Sequence, residues 1–417
     1  MERLISLLGL FVFIGIAYAL SVKRAAINWR TLLWGVALQI SIGVIILRLP
    51  IGYQFFQALG NGIGYFLNFS DVGAEFVFGP DFADHFIAFK VMPTIIFFSS
   101  FITILYHYGI LQRVVQWLSV AMVKTMKTSG SESLVCAANV FVGPAEAPLL
   151  VKPYVKDMTL SELHAIMTCG FATIAGGVMA AYISLGIPAE HLIAASVMSA
   201  PAALGISKVM YPETDTPLTL GDHGDTQVQR TSINVIDAAT IGALDGMKLA
   251  LNIVALLIAF TALVAAINGL LQVLGGWINF PQLSLEWIFS FVFAPIAWLM
   301  GVPWQDVGQV GILLGKKTVL NEFFAYLDLS ALMNNAAEIA AGEVEAGTVP
   351  VISQRSQILA TYALCGFSSL TAIGIQIGGI GAIAPSRQHD LARLGLRAMI
   401  GGSLACFMTA SIAGVLL

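Results

Sequence analysis

Charged side chains are scarce in this sequence. Its 417 residues carry 20 Lys+Arg and 24 Asp+Glu, 11% of the chain, against about 25% in soluble globular proteins. A soluble chain of this length cannot cover its surface with so few polar groups. Soluble enzyme, nucleic-acid binder and disordered scaffold are therefore excluded, and the net charge of -4 marks no nucleic-acid partner. Cysteine is also rare. Cys136, Cys169, Cys365 and Cys406 show no C-x-x-C or Cys/His spacing and lie in apolar surroundings, so they read as buried small hydrophobes. The six histidines, His85, His107, His164, His191, His223 and His389, form no H-E-x-x-H and no Ser/His pairing, so nothing points to an intramembrane enzyme. No small-residue cleavage site follows the apolar start at 4–22, which is read as a first span rather than a removed signal.

What is abundant is apolar sequence: 58% of residues are hydrophobic. A helix needs about 20 apolar residues to cross a bilayer core of about 30 Å. Eight stretches qualify: 4–22, 32–53, 86–108, 162–186, 189–210, 246–275, 356–383 and 393–416. Positive charge sets their orientation. Lys23, Arg24 and Arg30, then Arg113, Lys124 and Lys127, then Lys208 and Arg230, then Arg387, Arg393 and Arg397 all fall on one side if the chain alternates. Both termini are thereby expected outside the cytoplasm. Residues 54–80 suit a helix lying in the interface, where aromatic rings settle. Residues 284–303 suit an interfacial or partly re-entrant helix, or a ninth span. Residues 211–236 read as a polar linker.

Two apolar stretches, 131–156 and 305–334, are broken by polar residues. The first runs Asn139-Val-Phe-Val-Gly143-Pro144-Ala145-Glu146-Ala-Pro148. The second runs Lys316-Lys317-Thr318-Val-Leu-Asn321-Glu322-Phe. Each half is too short to cross, so two short helices meeting at Gly143-Pro144 are expected to make the first stretch a re-entrant hairpin, and the second is expected to be one too. Irregular backbone at membrane depth is tolerated only inside protein or against a water-filled cavity. The hairpins head two related units. Cys169-Gly170-Phe171-Ala172-Thr173-Ile174 follows the first, and Cys365-Gly366-Phe367-Ser368-Ser369-Leu370 follows the second. An odd number of crossings separates the units, so they are inverted, as in many secondary transporters. Glycine beside hydroxyl residues in mid-span predicts that both spans unwind there and turn half-helix ends toward an ion or solute.

Glu146 and Glu322 are carboxylates inside apolar segments. A charge there costs at least about 2.5–3.5 kcal/mol, so a functional role is expected. They suit the hydroxyls or ring N–H donors of a neutral polar solute; partnership with Lys316 or Lys317 is the structural alternative. Either could also carry a proton. Asn139, nearby carbonyls and Thr173 make a set of neutral oxygens, which suits a monovalent cation such as Na⁺. A helix-capping Asn139 is the plainer alternative.

These motifs, with Ala384-Pro385-Ser386-Arg387, resemble the concentrative nucleoside transporters over nearly the whole chain. The resemblance is to bacterial members. It implies an all-α polytopic fold of eight transmembrane helices, two re-entrant hairpins and interfacial helices, in an inner (plasma) membrane, as a homotrimer in contact with lipid. It implies a symporter, not an enzyme, importing a nucleoside-like solute by an elevator movement with Na⁺ as coupling ion and no organic cofactor. A proton-coupled importer of a different polar solute is the alternative on the same fold. By position, Glu146 would face the base and Glu322 the ribose, with Phe367 and Val178 lining the site beside Asn321. Asn139, Val142, Thr173 and Ile174 would hold sodium. The family usually has Gly-Gln-Thr-Glu at the first tip, where this chain has Gly143-Pro144-Ala145-Glu146. It commonly has Asn and Ser where this chain has Ser369 and Ala372. Each lost hydrogen bond is worth about 0.5–1.5 kcal/mol, so an altered pocket is expected. The implied division is scaffold helices with an interfacial helix over 1–127 and a first transport repeat over 128–210. A linker, span six and an interfacial helix fill 211–304, and the second repeat fills 305–417.

Overall fold

In the computed structural model the residues described are 1–221, 232–345 and 347–417. They are helical, with one isolated bridge between Ser129 and Leu220. His223, Arg230 and part of the expected linker lie outside the described residues.

The first spans are α1 (Glu2–Ala19) and α2 (Trp29–Leu47). The second span ends earlier than the 53 expected because Pro50 opens a new helix, as proline at a first helical turn commonly does. That helix, α3 (Pro50–Leu67), and α4 (Phe69–Phe78) expose Phe55, Tyr65, Phe69 and Phe76, as an interfacial segment should. α5 (Met92–His107) continues a π-helical turn over Phe86–Val91, and together they make span three. α6 (Ile110–Met126) has no counterpart in the sequence reading, which took Arg113 and Lys124 as loop cations. It buries Leu111, Val115, Ser119, Met122 and Met126, a one-sided helical stripe that keeps its cations on the other face.

The first repeat comprises α7 (Gly130–Ala138), the short α8 (Lys152–Val155), α9 (Leu160–Ala172), α10 (Gly176–Ser184) and α11 (Ala189–Met210). α7 and α9 both begin with capping boxes, Ser129 with Glu132 and Thr159 with Glu162. Ser129 Oγ of the first box donates to Glu162 of the second at 2.6 Å, and Lys208, near the end of α11, pairs with Glu132 at 2.7 Å. α12 (Val235–Trp277) is 43 residues long. At about 1.5 Å per residue it spans about 65 Å, far more than a bilayer core. It packs on α5 through Gly242 and Gly246; a Cβ on either would stand within 2.8 Å of α5 backbone.

α13 (Leu285–Val292) and α14 (Ala294–Leu299) are each too short to cross and are divided at Phe293, with Pro295 in the first turn of α14. The stretch 284–303 is therefore no ninth span. The second repeat is α15 (Val307–Val319), α16 (Glu322–Ala341), α17 (Gln354–Leu364), α18 (Leu370–Ile383) and α19 (Gln388–Leu416). Among the described residues seven helical runs are long and apolar enough to cross a membrane. The eighth crossing is α17 and α18 in tandem, neither of which is long enough alone.

One expectation about cysteine fails. All four are fully buried, but only Cys365 and Cys406 are free thiols. Cys136 and Cys169 form a disulfide joining α7 to α9. Their separation along the chain carries no hint of it; the fold brings two distant helices together.

Candidate solute and ion site

The site is built from four interruptions of helix. Hairpin 1 interrupts α7 after Ala138, and the chain turns through Asn139 to Glu146. The amides of Glu146 and Ala147 both donate to Gly143 O. The returning arm is a 3₁₀ turn over Ala147–Val151 and then α8, not the regular second helix expected. Pro144, Pro148 and Pro153 explain this, since each removes a backbone donor. The tip rests on two glycines. A Cβ on Gly170 would stand 2.8 Å from Pro144 Cβ, and one on Gly379 would stand 2.8 Å from Ala145 Cβ.

Span four breaks where Thr173 turns extended, and α10 restarts at Gly176, whose amide donates to Phe141 O of the hairpin turn at 3.0 Å. Span seven breaks over residues 365–369. Gly366 approaches Phe171 O so closely that a Cβ would stand 2.6 Å away. The two breaks touch: Phe367 N–H donates to Thr173 O at 3.3 Å. Hairpin 2 breaks between Val319 and Glu322, and Thr371 Oγ1 donates to Leu320 O at 3.1 Å, fastening that break to span seven.

Glu322 opens α16, where the helix dipole favours an anion. It is buried and accepts from Tyr182 Oη at 2.9 Å. Tyr182 stacks on Tyr326 with centroids 4.2 Å apart, and Tyr326 Oη donates to Thr361 O at 2.8 Å. Asn321 caps α16 by accepting from Phe324 N–H. Glu146 is exposed, with its carboxylate folded back over Gly143. Neither glutamate pairs with the neighbouring lysines among the described residues. Lys316 binds Asp328 at 2.7 Å, and Lys317 donates to Ala363 O at 2.7 Å.

The remaining expected residues are gathered around these breaks. Val178 and Ala372 are buried, and Phe367 is half-buried. Ser369 caps α18, accepting from Ala372 N–H at 3.3 Å, so part of its hydrogen-bonding capacity is used locally. Asn139 follows α7 as its C-cap. Its side-chain oxygen and nitrogen are both buried without a partner among the described residues. A buried amide is seldom left so, and an oxygen waiting for a cation fits it. Thr173 is buried too, its hydroxyl donating to Cys169 O at 2.9 Å. That donation leaves the Thr173 oxygen lone pairs available to an ion, and the carbonyls of Val142 and Ile174 are further neutral oxygens.

Three side chains escaped the sequence reading. Tyr182 orients Glu322. Gln376 is buried against Gly170, donates to Met167 O at 3.2 Å and keeps Oε1 unpartnered. Ser368 has a buried hydroxyl with no partner among the described residues. Only a polar residue inside an apolar run signalled them.

Family models cover the chain in three blocks. The Na⁺-dependent nucleoside transporter C-terminus matches residues 191–414, its N-terminus 8–81, and a nucleoside-recognition Gate model 88–189. The chain belongs to the Na⁺-dependent nucleoside transporter family. Among this family's members it is 45% identical over 415 residues to solute carrier family 28 member 3 of Rattus norvegicus, matching 100% of this chain and 59% of the rat protein. It is 43% identical over 416 residues to the sodium/nucleoside cotransporter 1 of Mus musculus, matching 64% of that protein. The chain thus spans about three fifths of the length of the curated relatives it matches. A solved structure described as CNTnw in an inward-facing substrate-bound state superposes with a TM-score of 0.90 at 38% identity, covering 100% of this chain and 98% of that one. An outward-facing variant of the same transporter gives 0.91. The family fold, an all-α multi-pass membrane protein with two hairpins in an inverted repeat, is the fold seen here.

Proposed function

We propose that this protein is a sodium-coupled symporter that imports nucleosides, or a close relative of them, by alternating access. The observation that carries it is the meeting of four helix interruptions around a buried, tyrosine-bound Glu322 and an unpartnered Asn139. A prearranged carboxylate suits the vicinal hydroxyls of a ribose, and the more open Glu146 suits a base edge. Phe367 and Val178 supply apolar walls, with Pro144, Ala145, Asn321, Ser369 and Ala372 around them. The family name and the names of the relatives support the sodium and nucleoside parts. Asn139, Thr173 and the carbonyls of Val142 and Ile174 offer a metal ion neutral oxygens, which a proton would not need.

The same reading takes the protein to a bacterial inner membrane, with lipid around it, as a homotrimer with both termini outside. The two repeats, 128–210 and 305–417, would move against a fixed part formed by α5 and α12. Close packing draws α1 and α2 to the moving side rather than to the scaffold implied for 1–127. Gly414 of α19 lies directly against Ser6 of α1, and a Cβ on Gly35 of α2 would stand 2.7 Å from Pro201 O in α11. The test is uptake of labelled purine and pyrimidine nucleosides into proteoliposomes under Na⁺, H⁺ or no gradient. Accumulation that needs the Na⁺ gradient is expected. Folded protein that takes up no nucleoside under any gradient would refute the proposal.

A further inference from the structure

The two repeats end their half-helices differently. α9 and α17 both stop in mid-span, and a helix end leaves its last carbonyls unpaired and partially negative. In an apolar interior that end needs a positive partner. The second repeat has one. Lys317 stands in the last turn of α15, the first arm of hairpin 2, and is 1% exposed. Its ammonium donates to Ala363 O, in the last turn of α17, at 2.7 Å. No carboxylate lies within 4.0 Å of it among the described residues, whereas adjacent Lys316 binds Asp328. A buried ammonium without an ion-paired carboxylate is costly to keep; Glu322 acts on it electrostatically from beyond that distance, and its direct contact is the helix end.

The first repeat has no such charge at its helix end among the described residues. The side chains on the last turn of α9 are neutral: Thr173 on Cys169 O and Cys406, which is shared between Ala172 O at 3.6 Å and Cys365 O at 3.1 Å, with Gln376 on Met167 O one turn earlier. Its hairpin's first arm ends in Asn139, whose amide has no partner. The first arm therefore ends in a buried cation in one repeat and in a buried amide without a partner among the described residues in the other. We propose that Lys317 is the second repeat's tethered equivalent of the cation that the first repeat takes from solution. It rests on the sodium reading of Asn139. It follows that only the first repeat exchanges an ion of this kind, and Lys317 is the residue that keeps Na⁺ out of the second.

The test uses the purified full chain and follows melting temperature against NaCl, with choline chloride holding ionic strength. A ligand bound only by the native state raises stability with its concentration, and the slope follows the number bound. Lys317→Gln vacates the second helix end, so its slope against log Na⁺ should be about twofold that of wild type. Asn139→Lys supplies the missing charge, so it should lose the Na⁺ response yet melt in choline well above Asn139→Ala. A responsive wild type with an unchanged slope in Lys317→Gln overturns this inference alone. If Lys317→Gln yields no folded protein, the Asn139 pair decides, and Asn139→Lys melting no higher than Asn139→Ala overturns it. A wild type whose melting ignores Na⁺ overturns the ion-site reading and this inference together.

Discussion

Glu146 and Glu322 occupy matched places in the two hairpins and have opposite surroundings. Glu322 is buried, sits on a helix N-terminus and takes a hydrogen bond from Tyr182 across the repeats. Glu146 precedes a proline-rich 3₁₀ turn, is exposed and curls over Gly143. The same residue type at symmetric positions is thus fixed in one repeat and adjustable in the other. A fixed carboxylate suits the part of a solute that never varies, and an adjustable one the part that does. For a nucleoside these would be sugar and base.

The comparison breaks most visibly at Glu322. Glu322→Gln keeps the shape but removes the charge, and hydrogen bonds to charged groups are worth about 1.5–3 kcal/mol each. With two hydroxyls affected, uptake in proteoliposomes should fall at least about a hundredfold while size-exclusion elution is unchanged. Wild-type uptake would make Glu322 a structural residue. Glu146→Gln should act more weakly, raising KM about tenfold with a loss that differs between purine and pyrimidine nucleosides. An equal loss for every base would remove Glu146 from base recognition. Tyr182→Phe deletes one bond to Glu322. It should raise KM about fivefold for all nucleosides alike, as competition uptake assays can measure. The smallest effect is a gain. Pro144→Gln with Ala145→Thr restores the polar tip usual in the family, and affinity for common nucleosides should improve about threefold, a single neutral hydrogen bond's worth. A weakened affinity would mean that the present tip is tuned to a different solute.

The eight crossings and both hairpins were legible because long apolar runs and mid-span carboxylates are local signals. α6 was not, because its apolar stripe is interleaved with Arg113 and Lys124 and carries too little mean hydropathy to stand out. The returning arm of hairpin 1 departs from a regular helix because Pro144, Pro148 and Pro153 interrupt an otherwise apolar run. Of the site, Glu146, Glu322 and Asn139 could be read as conflicts between residue and surroundings. Tyr182, Gln376 and the Cys136–Cys169 bond could not. Each depends on which distant helix lies opposite, and one sequence does not contain that information.

The length of α12 has a mechanical consequence. Leu249, Ile253 and Leu257 form a stripe packed against the interior, and the half-buried Phe260 and Val264 continue it before polar Asn268. Asn268 is held by Glu286 at 2.9 Å and by the amide of Leu285. If α12 belongs to the fixed part, a body sliding along it by one helical turn, about 5.4 Å, exchanges one bulky apolar neighbour for the next of similar chemistry. Such a surface has friction but no deep notch, and it closes with a polar stop at one end. A helix about twice as long as the membrane is thick would then act as a rail, with its surplus length as travel.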